Sequence, residues 1–181
     1  MLPLKQMILS SFFAAISALL AQLSIPLPFS PVPITGQMVG VFLAGAIMGK
    51  KWGAISILIY VMLGIIGLPV FHNAQGGIHI VLGPTGGYLW GFVLGVYLLG
   101  MIVEKRDSYF FSILGMFFCL LVVYFLGTLQ LAFIASLGAF QAFLMGVAPY
   151  LPADIIKIFA SAALVSAVNR HLNKAGLAFR S

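Results

Sequence analysis

The chain has 181 residues, 62 % of them hydrophobic and only 7 % charged, with a mean hydropathy of +1.17. Three acidic and nine basic residues cannot wet the surface of a soluble domain, which carries about 25 % charged residues, so the apolar surface must face lipid. The net charge of +6 is spread over short gaps between apolar runs, which argues against nucleic-acid binding, and a single cysteine, Cys119, excludes an intramolecular disulfide.

A spanning helix needs about 20 mostly apolar residues, fewer where glycine-rich helices are shielded by protein. The pattern predicts an all-α membrane protein, a single domain over 1–181. Its compact bundle of six transmembrane helices covers about 7–25, 34–49, 52–68, 84–103, 108–136 and 151–168. The first run has Lys5 before it and small residues near its end, as a signal peptide would. The rest of the chain is equally apolar, so this run reads as an uncleaved helix. Ala14 and Ala18, with Ala15 and Ala21, form a small-residue stripe on it. Internal packing and docking of another membrane subunit suit that stripe equally.

The connection Ser24–Pro33 holds Pro26, Pro28, Pro31 and Pro33, which forbid helix and favour a stiff extended segment. Thr35 and Gln37 come next as polar groups at the start of span two. Glycines four apart (Gly36 and Gly40, Gly45 and Gly49, Gly87 and Gly91, Gly91 and Gly95) predict close helix packing. The connection Pro69–Gly83 contains His72, Asn73, Gln75 and His79 around an alternating apolar stretch, suited to a short hairpin or a lid dipping back into the protein. Irregular backbone at membrane depth survives only where protein or a watery cavity satisfies it, so these connections read as pocket walls. Gly83–Tyr88 opens span four; its glycines let a ligand approach a helix start, and Tyr88 offers a ring or a hydroxyl. The apolar stretch Ser136–Tyr150 has room for a partial or re-entrant helix.

Charge sets the orientation. Lys5, Lys50-Lys51, Glu104-Lys105-Arg106-Asp107 and the group Arg170, Lys174 and Arg180 occupy alternate connections, whereas 24–33, 69–83 and 137–150 contain no Lys, Arg, Asp or Glu. Positive charge follows the cytoplasmic side, so both termini are expected there.

Asp154 and Lys157 are then the only Lys, Arg, Asp or Glu in the outer half. Pro152 suits a first helical turn, which places both on one face at the start of span six. An acid there is favoured by the helix dipole; a cation is not, and ionisable groups inside spans are functional by default. An acceptor beside a donor fits a ligand presenting N–H and C=O groups together. A metal ion would need more ligands than His72 and His79 supply, so no metal and no cofactor are expected. The chain lacks a serine-nucleophile elbow, a zinc-protease motif, a paired carboxylate and a P-loop, so neither catalysis nor ATP hydrolysis is expected.

Four blocks in order resemble the BioY family: Ile25–Gln37 (IPLPFSPVPITGQ), Gly64–Phe71 (GIIGLPVF), Gly83–Phe92 (GPTGGYLWGF) and Leu151–Lys157 (LPADIIK). The resemblance implies the biotin-binding S component of an energy-coupling factor (ECF) transporter in a prokaryotic cytoplasmic membrane. Its partners would be a transmembrane coupling subunit and two ABC-type ATPases. It also implies that Ala14-x-x-x-Ala18 docks the coupling subunit. Asp154 and Lys157 would grip the ureido ring of biotin, Asn73 would add a third polar contact, and Tyr88, Thr35 and Gln37 would line the pocket. With Lys157 at the ring, no other outer-half cation remains for the biotin carboxylate, which falls to backbone N–H groups, Thr35, Gln37 or water. An S component for another vitamin, or a non-transport membrane protein, would share the span pattern. Nickel and cobalt S components are set apart by a histidine near the N-terminus, absent from residues 1–5 here.

Overall fold

A computed structural model of the chain describes residues 4–106 and 108–174, without the side chains of 173 and 174. Asp107, Arg180, the Lys174 side chain and the first three residues lie outside that description. The described chain is all-helical apart from one two-stranded hairpin: α1 (Leu4–Gln22), β1 (Ser24–Leu27), β2 (Ser30–Thr35), α2 (Gln37–Ile65), α3 (Ile78–Leu82), α4 (Gly86–Lys105), α5 (Tyr109–Ile134), α6 (Ala139–Gly146) and α7 (Leu151–Lys174). A 3-10 turn at His72–Ala74 precedes α3. Five helices (α1, α2, α4, α5 and the 151–172 part of α7) are long and apolar enough to cross a membrane.

The element α2 is not one rod. Gly49 has φ 77° and ψ −173°, outside any helical region. Gln37 and Tyr60 share a side-chain hydrogen bond, although a straight helix would hold them roughly 35 Å apart. A Cβ built on Gly53 would lie 2.9 Å from the Gly45 Cα. The chain therefore folds back at Gly49 into two antiparallel arms, 37–48 and 50–65. The sequence places two separate segments here, 34–49 and 52–68. Glu104 holds the corner, accepting from the Lys50 backbone N–H at 2.9 Å and pairing with its ammonium at 3.0 Å.

Glycine and serine set the helix spacing elsewhere. Gly87, Gly91 and Gly95 of α4 lie against Leu126, Val123 and Cys119 of α5, and Gly40 of α2 lies against Ser17 of α1. Backbones meet there because no side chain separates them. Along the outside, Phe125, Leu129 and Phe133 of α5 are exposed, as a lipid-facing surface requires.

The proline-rich connection is extended as expected and pairs with itself, β1 against β2, around a turn at Pro28 and Phe29. Pro26 sits at the ladder irregularity between Ile25 and Leu27, where a missing N–H costs no pairing. The segment Ile78–Leu82 is a short helix rather than a hairpin strand. Gln130 of α5 donates to the carbonyls of Val81 and Gly83 at 2.9 and 2.7 Å and so terminates it. The 136–150 stretch holds the partial helix α6 and a turn after it. The first helix ends at Gln22, three residues early, because β1 claims the next segment; α7 runs past 168 because its polar end continues the helix.

Gly49→Ala places a Cβ 2.5 Å from Glu104 Oε1 in a backbone region reserved for glycine. It should destabilise the detergent-solubilised protein by about 1–3 kcal/mol. Gly138→Ala, at φ −65° in open space, should leave the thermal midpoint within error.

Candidate functional site

At the end of the bundle carrying β1, β2, α3 and α6, a cavity opens between α2, α4, α5 and α7. Its apolar wall includes Phe71, Leu89, Phe92 and Val123, and its polar groups come from β2, α2, the 3-10 turn, α4, α5 and α7. A second, more open hollow lies among the connections, lined by Pro26, Ser30, Asn73, Gln75 and Pro84. The two share Pro33, His72 and Thr85, so the second is the vestibule of the first.

Asp154 and Lys157 meet on one face of α7, as their i,i+3 spacing dictates. Their side chains are 6 % and 18 % exposed, and Lys157 Nζ lies 2.7 Å from Asp154 Oδ1. Lys157 also donates to the Thr35 carbonyl at 2.7 Å, tying α7 to the end of β2. The other carboxylate oxygen, Oδ2, accepts from the Tyr124 hydroxyl of α5 at 2.6 Å. Both oxygens therefore have a donor, while Lys157 keeps a third N–H and the carboxylate keeps lone pairs. The group can receive an N–H and donate to a carbonyl at adjacent points, in a setting dry enough to strengthen both bonds.

The remaining expected residues divide. Thr35 and Gln37 line the cavity; Gln37 is committed to Tyr60 and the Thr35 hydroxyl hydrogen-bonds locally with Gln37. Tyr88 presents its ring to the cavity, but its hydroxyl donates to the Gly146 carbonyl at 2.9 Å and so secures α6. Asn73 lines the vestibule rather than the deeper cavity. It is exposed, at φ 55°, a left-handed conformation that asparagine tolerates. His72, left without a role by the sequence, lines both spaces; burial pushes its imidazole below the usual pKa, towards the neutral form. His79 lines neither. Among the described residues no cluster of three His, Cys, Asp or Glu could hold a metal.

The expected docking pair on α1 is largely covered by the chain itself. Ala14 is 1 % exposed and Ala18 half-buried, because this face of α1 carries Ser17 onto Gly40 of α2. The pair packs the chain's own helices; Ala15, on the other side, is exposed.

Tyrosines were the residues missed. Tyr124 holds Asp154, and Tyr150 reaches Ser30 at 2.9 Å and the Val32 carbonyl, locking the turn before α7 to β2. The one sequence signal was a hydroxyl in an apolar run, which must find a partner when buried.

A sequence profile of the BioY family matches residues 1–174. "Biotin transporter BioY" of Thermotoga maritima is 38 % identical over 88 % of this chain and 92 % of its own length. "Probable biotin transporter BioY" of Pyrococcus horikoshii is 40 % identical over 84 % of this chain and 89 % of its own. A crystal structure of the S-component for biotin from an ECF-type ABC transporter superposes with a TM-score of 0.86 at 29 % identity, covering 92 % of each chain.

The pairing predicts a non-additive mutant cycle. Lys157→Met strands the Asp154 carboxylate and should destabilise by about 3 kcal/mol, the lower end for breaking a buried pair because Lys157 retains some exposure. Asp154→Asn combined with Lys157→Met should recover at least about half of that loss, read from thermal unfolding in detergent.

Proposed function

This chain belongs to the BioY family, and on that premise we propose that it captures biotin from outside the cell for an ECF-type transporter. It is a membrane protein that takes up biotin as the substrate-specific subunit, without an enzymatic step of its own. The observation that carries the reading is the Asp154–Lys157 pair set in the wall of an otherwise apolar cavity. Biotin presents two ureido N–H donors flanking a carbonyl. Asp154 accepts one N–H while the third N–H of Lys157 reaches the carbonyl, and the aromatic wall takes the sulfur ring and tail. Each such charge-assisted bond contributes about 1.5–3 kcal/mol. Asn73, in the vestibule, adds its contact nearer the tail than the ring.

The proposed topology has six crossings with both termini in the cytoplasm. The fold-back at Gly49 supports the count, since each arm of α2 is then a separate apolar segment. Lys50, Lys51, Lys105 and Arg106 at the opposite end from the cavity support the orientation, because lysine and arginine stay cytoplasmic. The membrane is then the cytoplasmic membrane of a prokaryote, and the cavity faces out. The proposed partners are a transmembrane coupling subunit and two ABC-type ATPases, which supply the energy this chain has no motif to harvest. Ala15 and the half-buried Ala18 remain available on α1 to such a subunit.

Binding of labelled biotin to the purified chain tests the site. Asp154→Asn and Lys157→Ala should each weaken it by at least about ten-fold, or about 1.4 kcal/mol. Tyr124→Phe, which removes a supporting bond alone, should cost less. Unchanged affinity in either of the first two variants removes that residue from the site. Binding of another vitamin in place of biotin would favour a different S-component specificity.

A further inference from the structure

His72 carries an unexplained pair of polar atoms. Both ring nitrogens are buried and neither has a hydrogen-bond partner, a state that native proteins rarely leave without a reason. Nothing in the ring's own bonding holds it in place; the backbone does. Gln22 of α1 donates to the Phe71 carbonyl at 3.0 Å and accepts from the Ala74 N–H at 2.9 Å, gripping the turn on either side of His72. Phe71, fully buried, packs edge-on against Tyr60 at 5.6 Å, and its backbone bridges to Gln75. His72 is thus fixed at the boundary between cavity and vestibule, with its ring donor and acceptor unspent.

The charge in the cavity is balanced apart from His72. Asp154 and Lys157 neutralise each other, so the ring end offers no net cation to the rest of the ligand. Among the described residues lining either space, His72 is the one other side chain able to carry positive charge. We propose that His72 receives the carboxylate at the end of the substrate's tail and thereby distinguishes the free acid from its amides and esters. This rests on the proposal that the chain binds biotin, and it assigns the tail carboxylate, which that proposal leaves without a charged partner. As a neutral ring His72 donates one N–H to the carboxylate, and a carboxylate alongside favours its protonated form, which strengthens the bond.

The test compares biotin with biotinamide, which has the same rings and an uncharged tail, on the purified full chain. The parent should prefer biotin by about ten-fold, the size of one charge-assisted hydrogen bond. His72→Ala should bring the two ligands within about two-fold of each other by weakening biotin alone. His72→Gln, which keeps an N–H donor, should restore part of the preference. Biotinamide binding at parental affinity serves as the folding control for both variants. Equal binding of both ligands by the parent, an unchanged preference in His72→Ala, or equal weakening of both ligands would overturn the assignment and leave the biotin reading standing. Absence of biotin binding by the parent would sink both.

Discussion

A polar group inside an apolar bundle has no water to fall back on, so its partners must come from the protein, and that requirement organises the cavity end of this molecule. Asp154 satisfies it through Lys157 and Tyr124, and Lys157 through Asp154 and the Thr35 carbonyl. Those bonds join α7, α5 and β2. Tyr150 repeats the connection from the turn before α7 to β2, and Tyr88 repeats it from α4 to α6. The site is therefore also the clamp that closes its end of the bundle.

The same constraint explains how irregular backbone is tolerated around the cavity. The β1–β2 hairpin satisfies its own ladder, with prolines confined to positions that forgo a bond. The 3-10 turn and α3 borrow partners instead, from Gln22 of α1 and from Gln130 of α5. Two glutamines in long apolar helices thus act as surrogate backbone for the connections they face. Such connections are ordered enough to shape a pocket yet rest on few bonds, which suits a mouth that has to admit a ligand.

Along the rest of the bundle close backbone packing takes over. Small residues bring α1 onto α2 and α4 onto α5, and Glu104 fastens the Gly49 corner through Lys50. This close fit consumed Ala14, whose spacing from Ala18 looked equally suited to a partner. Helical periodicity says that two residues share a face; it does not say what covers that face.

Composition and charge order were enough to determine a membrane bundle, its apolar segments and the singular position of Asp154 and Lys157. Hydropathy and ionisation are properties of residues and need no neighbours to be read. The extended nature of 24–33 and a partial helix within 136–150 were legible for the same local reason, through proline and segment length. Tertiary structure alone decided that the proline segment pairs with itself, that 78–82 is a helix and that Tyr124 and Tyr150 hold the site. It also turned Ala14 inward and left His72 without a partner. Each of these depends on which distant group arrives within hydrogen-bond or van der Waals distance, and a linear pattern carries no record of that meeting.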